Sequence, residues 1–497
     1  MNRKGLATCL LLAAGCIFAG AAALGQSTHA PARRMNILVV LTDDQGAWTV
    51  GAYGNKEVQT PNIDRLAREG ARFANAFVTT PVCSPSRATF LTGLYPNRMG
   101  IGDYIGLEAQ NGVGLPEWAK PWPETLKQNG YATALIGKWH LGLLPEFHPT
   151  RRGFDHFYGF LDAGSTPMNP LLERNGKNVQ EKGYIEDLLT DDAINFIMQN
   201  RSRSFALVLA TRAPHLPFGP VPEVDSAVYK DLDPTIPASP GLDIQQVKAQ
   251  TREYYASVHS IDRNLGRLLS KLDELGLAND TVVLFMSDHG FMIGQHSLLT
   301  KGNAWSINGG VTGPRRPNMF EESIRTPLLV RWPGVVKPGT VIEQDVSNLD
   351  IYSSLLDAAG AVPPKEPGRD GLDFVPLLRG ETVAWRDASF GEYDMHNSAL
   401  AFMRMIRTRK WKYVRFYFTN LQDELYDMET DPKEQKNLAW DPKNPWSPNP
   451  ATQAVVNELQ RRLMQWQRSI GDSILRPEYT PLEPANHRAE REAPPQH

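Results

Sequence analysis

The chain has 497 residues, of which 41% are hydrophobic and 22% are charged, a composition typical of a globular protein. Its formal net charge of -3 offers no basic surface, which argues against nucleic acid as a partner. The length fits roughly three domain-sized units, or one large α/β core with a smaller unit attached.

The first residues have the pattern of an export signal. The charged start at 1–4 precedes an apolar stretch at 5–20 and three alanines at 21–23. We predict a signal peptide over residues 1–25 and an exported protein, periplasmic or secreted. The apolar stretch is shorter than the roughly 20 residues of a membrane span, and no transmembrane segment is predicted. Lipid attachment at Cys16 is an alternative, although Ala13 stands where a larger aliphatic residue is expected.

Four short apolar runs, rich in β-branched residues, predict buried strands of a parallel sheet. They lie at 35–41, 131–136, 205–210 and 281–286. Helical patterns separate them, at 62–70, 84–93, 123–130, 184–200 and most clearly 251–275. Strands that alternate with helices predict an α/β fold whose mostly parallel sheet is flanked by helices on both faces.

The last quarter of the chain has a different pattern. A Pro- and Gly-rich stretch at 361–371 precedes alternating polar and apolar residues at 399–417 and a helical pattern at 455–470. We therefore predict a main domain over 35–375 and a smaller α+β subdomain over 380–475 that contains an antiparallel sheet. The polar, Pro-rich residues 476–497 predict a loosely ordered tail.

Each predicted core strand is followed at once by residues that can do chemistry. In chain order these are Asp43 and Asp44, then Lys138 and His140, then His215, then Asp288 and His289. Ligands of open α/β sheets bind beyond the carboxyl ends of the strands, so we expect these side chains to meet at one rim.

The aspartates at this rim suggest a metal site. Asp43, Asp44 and Asp288 together would offer three carboxylates, which suit a hard divalent ion such as Ca²⁺ or Mg²⁺. His289 is less expected there, because such ions prefer oxygen ligands. Taken alone, the adjacent pair Asp43 and Asp44 is equally consistent with a strand that ends in a solvated turn.

Cys83 is the one cysteine outside the predicted signal peptide, so an exported chain cannot use it for an internal disulfide. It is a buried inert thiol, a reactive thiol or a modified residue. The predicted helix would place it at a helix N-terminus, with Arg87 one turn along, a setting that favours a thiolate or a bound anion. The alternative is a buried cysteine near a surface arginine.

The sequence around Cys83 resembles a known family. Residues 83–93 (CSPSRATFLTG) are similar to the signature of the formylglycine-dependent sulfatases of the alkaline-phosphatase-like superfamily, and 137–142 (GKWHLG) resembles their second signature. Further matches occur at 41–46, 61–66, 287–290 and 424–432, in the expected order. The resemblance runs from about residue 36 to about residue 438.

The resemblance implies a sulfuric ester hydrolase that cleaves sulfate monoesters. A maturation enzyme would oxidise Cys83 to formylglycine, whose hydrate is the nucleophile. Calcium, or with less support magnesium, would be held by residue 83 and four others. These are Asp43, Asp44, Asp288 and His289, the last standing where many members have Asn.

The resemblance also assigns roles to the basic residues. Arg87 and Lys138 would support the hydrate and the developing negative charge, His140 would take the proton of its second hydroxyl, and His215 would protonate the leaving alcohol. A second sulfate-binding lysine is expected after His289, and Lys301 is the best match. Arg315 or Arg316, in the extended segment that follows, could serve instead.

Two other functions remain open at this point. The same superfamily includes phosphodiester and phosphonate monoester hydrolases, and a sulfated-glycan binding protein with a decayed site would be a non-enzyme alternative. The natural substrate is expected to be a sulfated carbohydrate. Aromatic residues in loops would line its pocket or serve as packing, namely Trp48, Trp118, Trp139 and Trp305. Five further histidines are expected to be structural: His148, His156, His259, His296 and His396.

Overall fold

The structure is a computed structural model that describes residues 34–106, 112–365 and 368–479. The predicted signal peptide, the lipid-attachment alternative at Cys16 and the tail beyond residue 479 lie outside these ranges. Within them, none of the helices combines the length and the apolar character needed to cross a bilayer.

The secondary-structure elements are numbered along the chain. The strands are β1 (Asn36–Thr42), β2 (Ala71–Phe77), β3 (Ala132–Lys138), β4 (His156–Phe160), β5 (Leu171–Arg174), β6 (Lys177–Gln180), β7 (Phe205–Ala210), β8 (Thr281–Ser287), β9 (Met292–Ile293), β10 (Leu298–Thr300), β11 (Trp305–Asn308), β12 (Val311–Arg315), β13 (Leu328–Arg331), β14 (Thr340–Ser347), β15 (Ala388–Met395), β16 (Ala401–Thr408), β17 (Trp411–Tyr417), β18 (Glu424–Asp427), β19 (Trp440–Asp441) and β20 (Asn444–Pro448). The α-helices are α1 (Pro61–Glu69), α2 (Cys83–Thr92), α3 (Trp122–Gln128), α4 (Ile185–Gln199), α5 (Glu223–Ser226), α6 (Ile244–Glu274), α7 (Glu321–Ile324), α8 (Ile351–Ala358), α9 (Val375–Leu378) and α10 (Gln453–Ile470).

A large mixed sheet forms the centre of the fold, in the order β14-β2-β13-β8-β1-β7-β3-β4-β5-β6. Its middle strands β8, β1, β7, β3 and β4 pair in parallel. Antiparallel pairing is confined to β13 with its two neighbours and to β5 and β6 at one edge. The predicted mostly parallel sheet is therefore confirmed.

Both faces of this sheet are buried, as strand β1 shows residue by residue. Ile37, Val39 and Leu41 pack into one hydrophobic core, with apolar residues of α2, α3, α8 and α9. Leu38 and Val40 pack into a second core, with residues of α1, α4 and α6. A strand covered on both faces must be apolar at every position, which is why the contiguous apolar pattern predicted β1, β3, β7 and β8.

A second, antiparallel sheet follows in the order β15-β16-β17-β18, as predicted for the C-terminal region. On one face Ile406 and Tyr413 pack with Leu459 and Leu463 of α10. On the other face Met403 and Met405 belong to a cluster that includes Phe77 and Val82, just before α2. One face of this sheet therefore packs against the residues that lead into α2. The boundary between the predicted domains 35–375 and 380–475 stays a prediction.

Some elements differ from the sequence-based expectation. Helix α6 begins at Ile244 rather than at 251, because the Asp243 side chain accepts a hydrogen bond from Gln246 N at 3.0 Å and caps an earlier turn. Strand β2 and the small sheet β12-β11-β10-β9 were not predicted from the sequence. The small sheet matters for the site, because β10 ends at Thr300 and delivers Lys301.

Candidate active site

The polar residues that follow the core strands do meet at one rim of the sheet. The pairing of β1 with β7 and β8 sets Leu41 beside Ala210 and Thr42 beside Ser287, so that these strands end at the same level. Asp43, Lys138 and Asp288 consequently lie together, and all three side chains are buried. The predicted grouping at the carboxyl ends is confirmed.

Cys83 is the first residue of α2 and is buried at the centre of this group. Its Sγ lies 3.2 Å from Lys301 Nζ, 3.3 Å from His289 Nε2 and 3.7 Å from Asp43 Oδ1. Burial raises the pKa of the thiol, but attraction to Lys138 and Lys301 outweighs it and holds the pKa well below the usual value. The site is thus built to hold an anion at position 83.

Each aspartate of the cluster has a basic partner. Lys138 Nζ lies 2.7 Å from Asp43 Oδ2 and Lys301 Nζ lies 2.5 Å from Asp44 Oδ1. Arg87 Nε and Nη2 both lie 2.9 Å from the same oxygen of Asp288, and Arg87 Nη1 donates to the carbonyl of Lys138 at 3.0 Å. These contacts fix the six side chains and the direction in which the cationic groups point.

The orientation of His289 indicates that a cation belongs in this cluster. Its Nδ1 lies 3.0 Å from the carbonyl of Gly290, which leaves Nε2 facing Asp44 Oδ1 at 3.3 Å and Asp288 Oδ1 at 3.4 Å. A bare nitrogen lone pair beside two carboxylate oxygens is repulsive, so either a proton or a metal ion must sit between them. Burial also raises the pKa of Asp288 to about 7, as expected for a carboxylate whose charge is incompletely balanced.

The donor atoms fit a divalent metal ion. They form two overlapping groups, in each of which all ligand atoms lie within 4.8 Å of one another: Asp43, Asp44, Cys83 and His215, and Asp43, Cys83, Asp288 and His289. Three of these six residues are aspartates, whose oxygens are the ligands that a hard ion of the calcium or magnesium type prefers.

His140 follows β3 and is held by one hydrogen bond. Its Nε2 lies 3.0 Å from the carbonyl of Ile105, and because that carbonyl can only accept, Nε2 carries the proton. Nδ1 is buried and has no hydrogen-bond partner among the described residues. Burial lowers the pKa of His140 below its usual value, while attraction to Cys83 opposes this effect. His140 is therefore a neutral base whose free nitrogen is Nδ1.

His215 is the more open histidine, with 24% of its side chain exposed. Its Nδ1 lies 2.7 Å from the carbonyl of Leu216 and its Nε2 lies 3.8 Å from Asp44 Oδ2. Burial lowers its pKa, and the nearby carboxylates of Asp44 and Asp43 oppose this effect. One support of this loop was not predicted from the sequence: buried Glu186 accepts hydrogen bonds from the backbone N–H groups of Arg212 and Ala213. Nothing in the sequence near Glu186 signals that contact.

Lys301 has different surroundings from the two arginines that were its alternatives, Arg315 and Arg316. Arg316 pairs with Glu424 of β18, and the guanidinium of Arg315 lies over the ring of Trp305, with Nη1 donating to the carbonyl of Asn303. Lys301 alone among these three has a contact with Cys83 in the described structure.

The tryptophans for which pocket lining or packing was expected differ in burial and in their contacts. Trp139 is buried in the core against Phe154, which agrees with the packing alternative for that residue. Trp48 stacks on Tyr254 and donates to the carbonyl of Phe291, whereas Trp118 is 46% exposed.

Two residues of the cluster have backbone torsions in the left-handed region, which is uncommon for residues other than glycine. Asp44 has φ 67° and His140 has φ 59°. Such conformations cost free energy and persist where the surrounding contacts enforce them, often at functional sites. Here they turn the chain sharply after β1 and β3, so that adjacent polar residues face the same cluster.

A buried acid–base cluster around a thiol, at the carboxyl rim of a mostly parallel sheet, is typical of an enzyme active site, and similar solved structures assign the fold to the alkaline-phosphatase-like class. The family model "Sulfatase" matches residues 35–361, and "N-sulphoglucosamine sulphohydrolase, C-terminal" matches residues 315–469. The chain belongs to the sulfatase family, and it is a sulfuric ester hydrolase.

Individual relatives agree with the family assignment. The steryl-sulfatase of Homo sapiens is 30% identical, over 79% of this chain and 77% of that protein. The N-acetylglucosamine-6-O-sulfatase of Bacteroides thetaiotaomicron is 28% identical, over 82% of this chain and 83% of that protein. A solved structure of a protein in complex with its substrate D-glucosamine-2-N,6-O-disulfate is 26% identical, has a TM-score of 0.75, and covers 89% of this chain and 99% of its own.

Proposed function

We propose that this sulfatase uses residue 83 as a formylglycine. A separate maturation enzyme would replace the thiol sulfur of Cys83 by an aldehyde oxygen and pass the electrons to an external acceptor. The observation that carries the proposal is the position of Cys83 within a family signature, at the start of α2, with Sγ 3.2 Å from Lys301 Nζ and 3.3 Å from His289 Nε2. An inert structural cysteine does not need such cationic neighbours.

In the first step, one hydroxyl of the hydrated aldehyde gives its proton to a neighbouring carboxylate, Asp43, whose Oδ1 lies 3.7 Å from Cys83 Sγ, and its oxygen attacks the sulfur of the sulfate ester. The bond from sulfur to the alcohol oxygen breaks, and His215 gives that oxygen a proton. Arg87, Lys138 and Lys301 supply positive charge to the sulfate oxygens, where negative charge is greatest in the transition state.

In the second step, His140 takes the proton of the remaining hydroxyl through Nδ1, its free nitrogen. The aldehyde C=O bond re-forms, the bond from residue 83 to sulfate breaks, and inorganic sulfate leaves. Water then hydrates the aldehyde again. A serine or an unmodified cysteine lacks this second hydroxyl and would have no equivalent route of release.

A divalent ion, by preference Ca²⁺ with Mg²⁺ as the alternative, would be held by residue 83 and by Asp43, Asp44, Asp288 and His289. When bound, it would supply positive charge to the nucleophile and to the sulfate oxygens. The carboxylate-rich donor set and the orientation of His289 support this assignment.

We propose a sulfated carbohydrate as the natural substrate and an exported location for the enzyme. The support for a sugar is that a similar bacterial enzyme is named an N-acetylglucosamine-6-O-sulfatase and that a similar structure holds a sulfated glucosamine. The support for export is the sequence pattern of residues 1–25. Release of inorganic sulfate from sulfated mono- and oligosaccharides tests the first point, and activity confined to phenolic sulfates would contradict it.

The decisive experiment is mass spectrometry of the peptide that contains residue 83, isolated from protein made in the natural host. We expect an aldehyde in place of the thiol, together with sulfate release that disappears in a folded Cys83→Ala variant. A fully active enzyme with an intact thiol would rule the proposal out. Turnover of an aryl phosphodiester without turnover of an aryl sulfate would favour the phosphorus alternative.

A further inference from the structure

A short segment, residues 103–106, lies between the catalytic cluster and the C-terminal sheet. Ile105, which is buried, contacts the cluster through both of its backbone polar groups. Its N–H donates to Ser84 Oγ at 2.9 Å, next to Cys83, and its carbonyl accepts from His140 Nε2 at 3.0 Å. The position of the Ile105 carbonyl therefore determines which nitrogen of His140 carries the proton.

Asp103 anchors this segment to the C-terminal sheet. Oδ1 accepts from its neighbour Tyr104 N at 2.8 Å and from Tyr393 Oη at 2.9 Å. Oδ2 accepts from the backbone N–H groups of His396 and Asn397, both at 2.9 Å. The carboxylate is buried, and four donors converge on it from two parts of the chain.

Two further bonds join the same parts of the chain. The Asp394 N–H donates to the carbonyl of Gly102 at 3.1 Å, and Asn397 Nδ2 donates to the carbonyl of Tyr104 at 2.6 Å. Residues 102–104 are thus bonded on both sides of Asp103 to the end of β15 and to the residues that follow it. With so many bonds of fixed direction, the Ile105 carbonyl has little freedom to move.

We propose that Asp103 is a positioning residue for the release of sulfate. By holding residues 103–106 against the C-terminal sheet, it keeps the Ile105 carbonyl in place, and this carbonyl holds His140 in the tautomer whose Nδ1 accepts the proton. The inference rests on the proposed role of His140 in the second step. Nothing in the first step requires that tautomer, so the two steps respond differently when Asp103 is changed.

The test is Asp103→Asn, which keeps the shape of the side chain but puts an NH₂ group where N–H donors converge. Misplacing a catalytic group by a fraction of an ångström to one ångström costs up to about 100-fold in rate. We expect steady-state turnover of an aryl sulfate to fall about 10- to 100-fold. The first-turnover burst of phenol should remain, and sulfated residue 83 should accumulate and be detected by mass spectrometry after acid quenching.

Asp262→Asn is the matched control. Asp262 is also a buried carboxylate that accepts two backbone N–H bonds from a distant segment, those of Asn62 and Ile63, but it lies on α6 among residues outside the catalytic cluster. The Asp262→Asn variant should have a lower free energy of unfolding than the wild type, without any accumulation of sulfated enzyme. If Asp103→Asn does not fold, Tyr393→Phe removes a single bond to Asp103 and should show the same accumulation to a smaller extent.

The outcomes separate this inference from the proposed function. Wild-type enzyme without an aldehyde at residue 83 means that the proposed function itself has failed. If the aldehyde is present and His140→Ala accumulates sulfated enzyme, but folded Asp103→Asn and Tyr393→Phe do not, the positioning role is wrong. Equal losses in the burst and in turnover, without accumulation, would mean that Asp103 is merely structural.

Discussion

Lys301 Nζ bridges Cys83 and Asp44, at 3.2 Å from Sγ and 2.5 Å from Asp44 Oδ1. The lysine therefore places its charge where a sulfate oxygen would meet residue 83, with Asp44 as the internal counter-charge. Attraction to Asp44, Cys83 and Asp43 outweighs the effect of burial and raises the pKa of Lys301, so this charge persists throughout the working pH range.

This geometry predicts the effect of replacing Lys301. Lys301→Met keeps much of the side-chain volume and should lower kcat/KM for an aryl sulfate by about 10²- to 10³-fold, the usual loss for one donor that stabilises transition-state charge. Arg315→Met is the control, because its guanidinium lies over Trp305 and makes no contact with Cys83. Steady-state kinetics with both variants measures the two losses in kcat/KM. A larger loss for Arg315→Met than for Lys301→Met would assign the sulfate pocket to the arginine.

The Cys83→Ser variant should perform one half of the reaction. Its hydroxyl can attack sulfur, but there is no second hydroxyl from which His140 can remove a proton. We expect about one equivalent of alcohol per enzyme, then no further turnover, with a stable sulfate ester on residue 83. Rapid-quench kinetics and mass spectrometry would show this, whereas sustained turnover by the serine variant would contradict the proposed release step.

His289 should alter the metal preference of the site. Imidazole nitrogen suits softer divalent ions than carboxylate oxygen does, so His289→Asn is expected to favour Ca²⁺ over Zn²⁺ relative to the wild type. The change in the ratio of the two Kd values should be on the order of tenfold. Calorimetric titration of the metal-stripped protein measures it, and an unchanged ratio would show that His289 is not a ligand.

Much of this site could be predicted from the sequence because its parts occupy positions with strong local signals. Strand β1 is apolar at each position from Ile37 to Leu41 since both faces are covered, and Asp43 and Asp44 stand directly after the strand. The same holds for β8 and Asp288. Knowing where a buried parallel strand ends is enough to place the residues of the rim.

The parts that escaped prediction depend on contacts between distant segments. Glu186 supports the loop of His215 across more than twenty residues of sequence, and Asp103 meets Tyr393 from almost three hundred residues away. No periodicity marks such pairs. For Trp139 the sequence left pocket lining and packing equally open, because it neighbours His140 and sequence proximity alone does not give side-chain direction. Its ring packs in the core.

Stability should depend on pH through a buried carboxylate far from the rim, Asp225. Burial raises its pKa, but hydrogen bonds from His259 and Arg263 outweigh burial and lower the pKa below 3.8. A carboxyl whose folded pKa is depressed stabilises the protein above its unfolded pKa, and this contribution is lost as the pH falls below about 4.

Asp225→Asn should therefore reduce the free energy of unfolding by about 1–3 kcal/mol near neutral pH, with a smaller difference in acid. Denaturant unfolding at several pH values measures it. Asp233→Asn is the control, because Asp233 pairs with Lys248 but is 79% exposed, and such pairs contribute little. A constant difference at all pH values would mean that the charge of Asp225 does not matter.

His215 should matter most for substrates whose alcohol is a poor leaving group. A nitrophenolate can depart without a proton, whereas a sugar hydroxyl cannot, so loss of the proton donor penalises the sugar sulfate far more. We expect His215→Ala to lower kcat/KM by about 10²- to 10⁴-fold for a sulfated sugar and much less for a nitrophenyl sulfate.

His140→Ala is the informative comparison, because His140 acts after the alcohol has left. In that variant the rate of sulfate release should be the same whichever alcohol was attached, so that kcat becomes independent of the leaving group. The dependence of kcat/KM on leaving-group pKa should be steeper for His215→Ala than for the wild type. Parallel losses for both substrate types in His215→Ala would show that its imidazole, 3.8 Å from Asp44 Oδ2, binds sulfate or positions Asp44 instead of donating the proton.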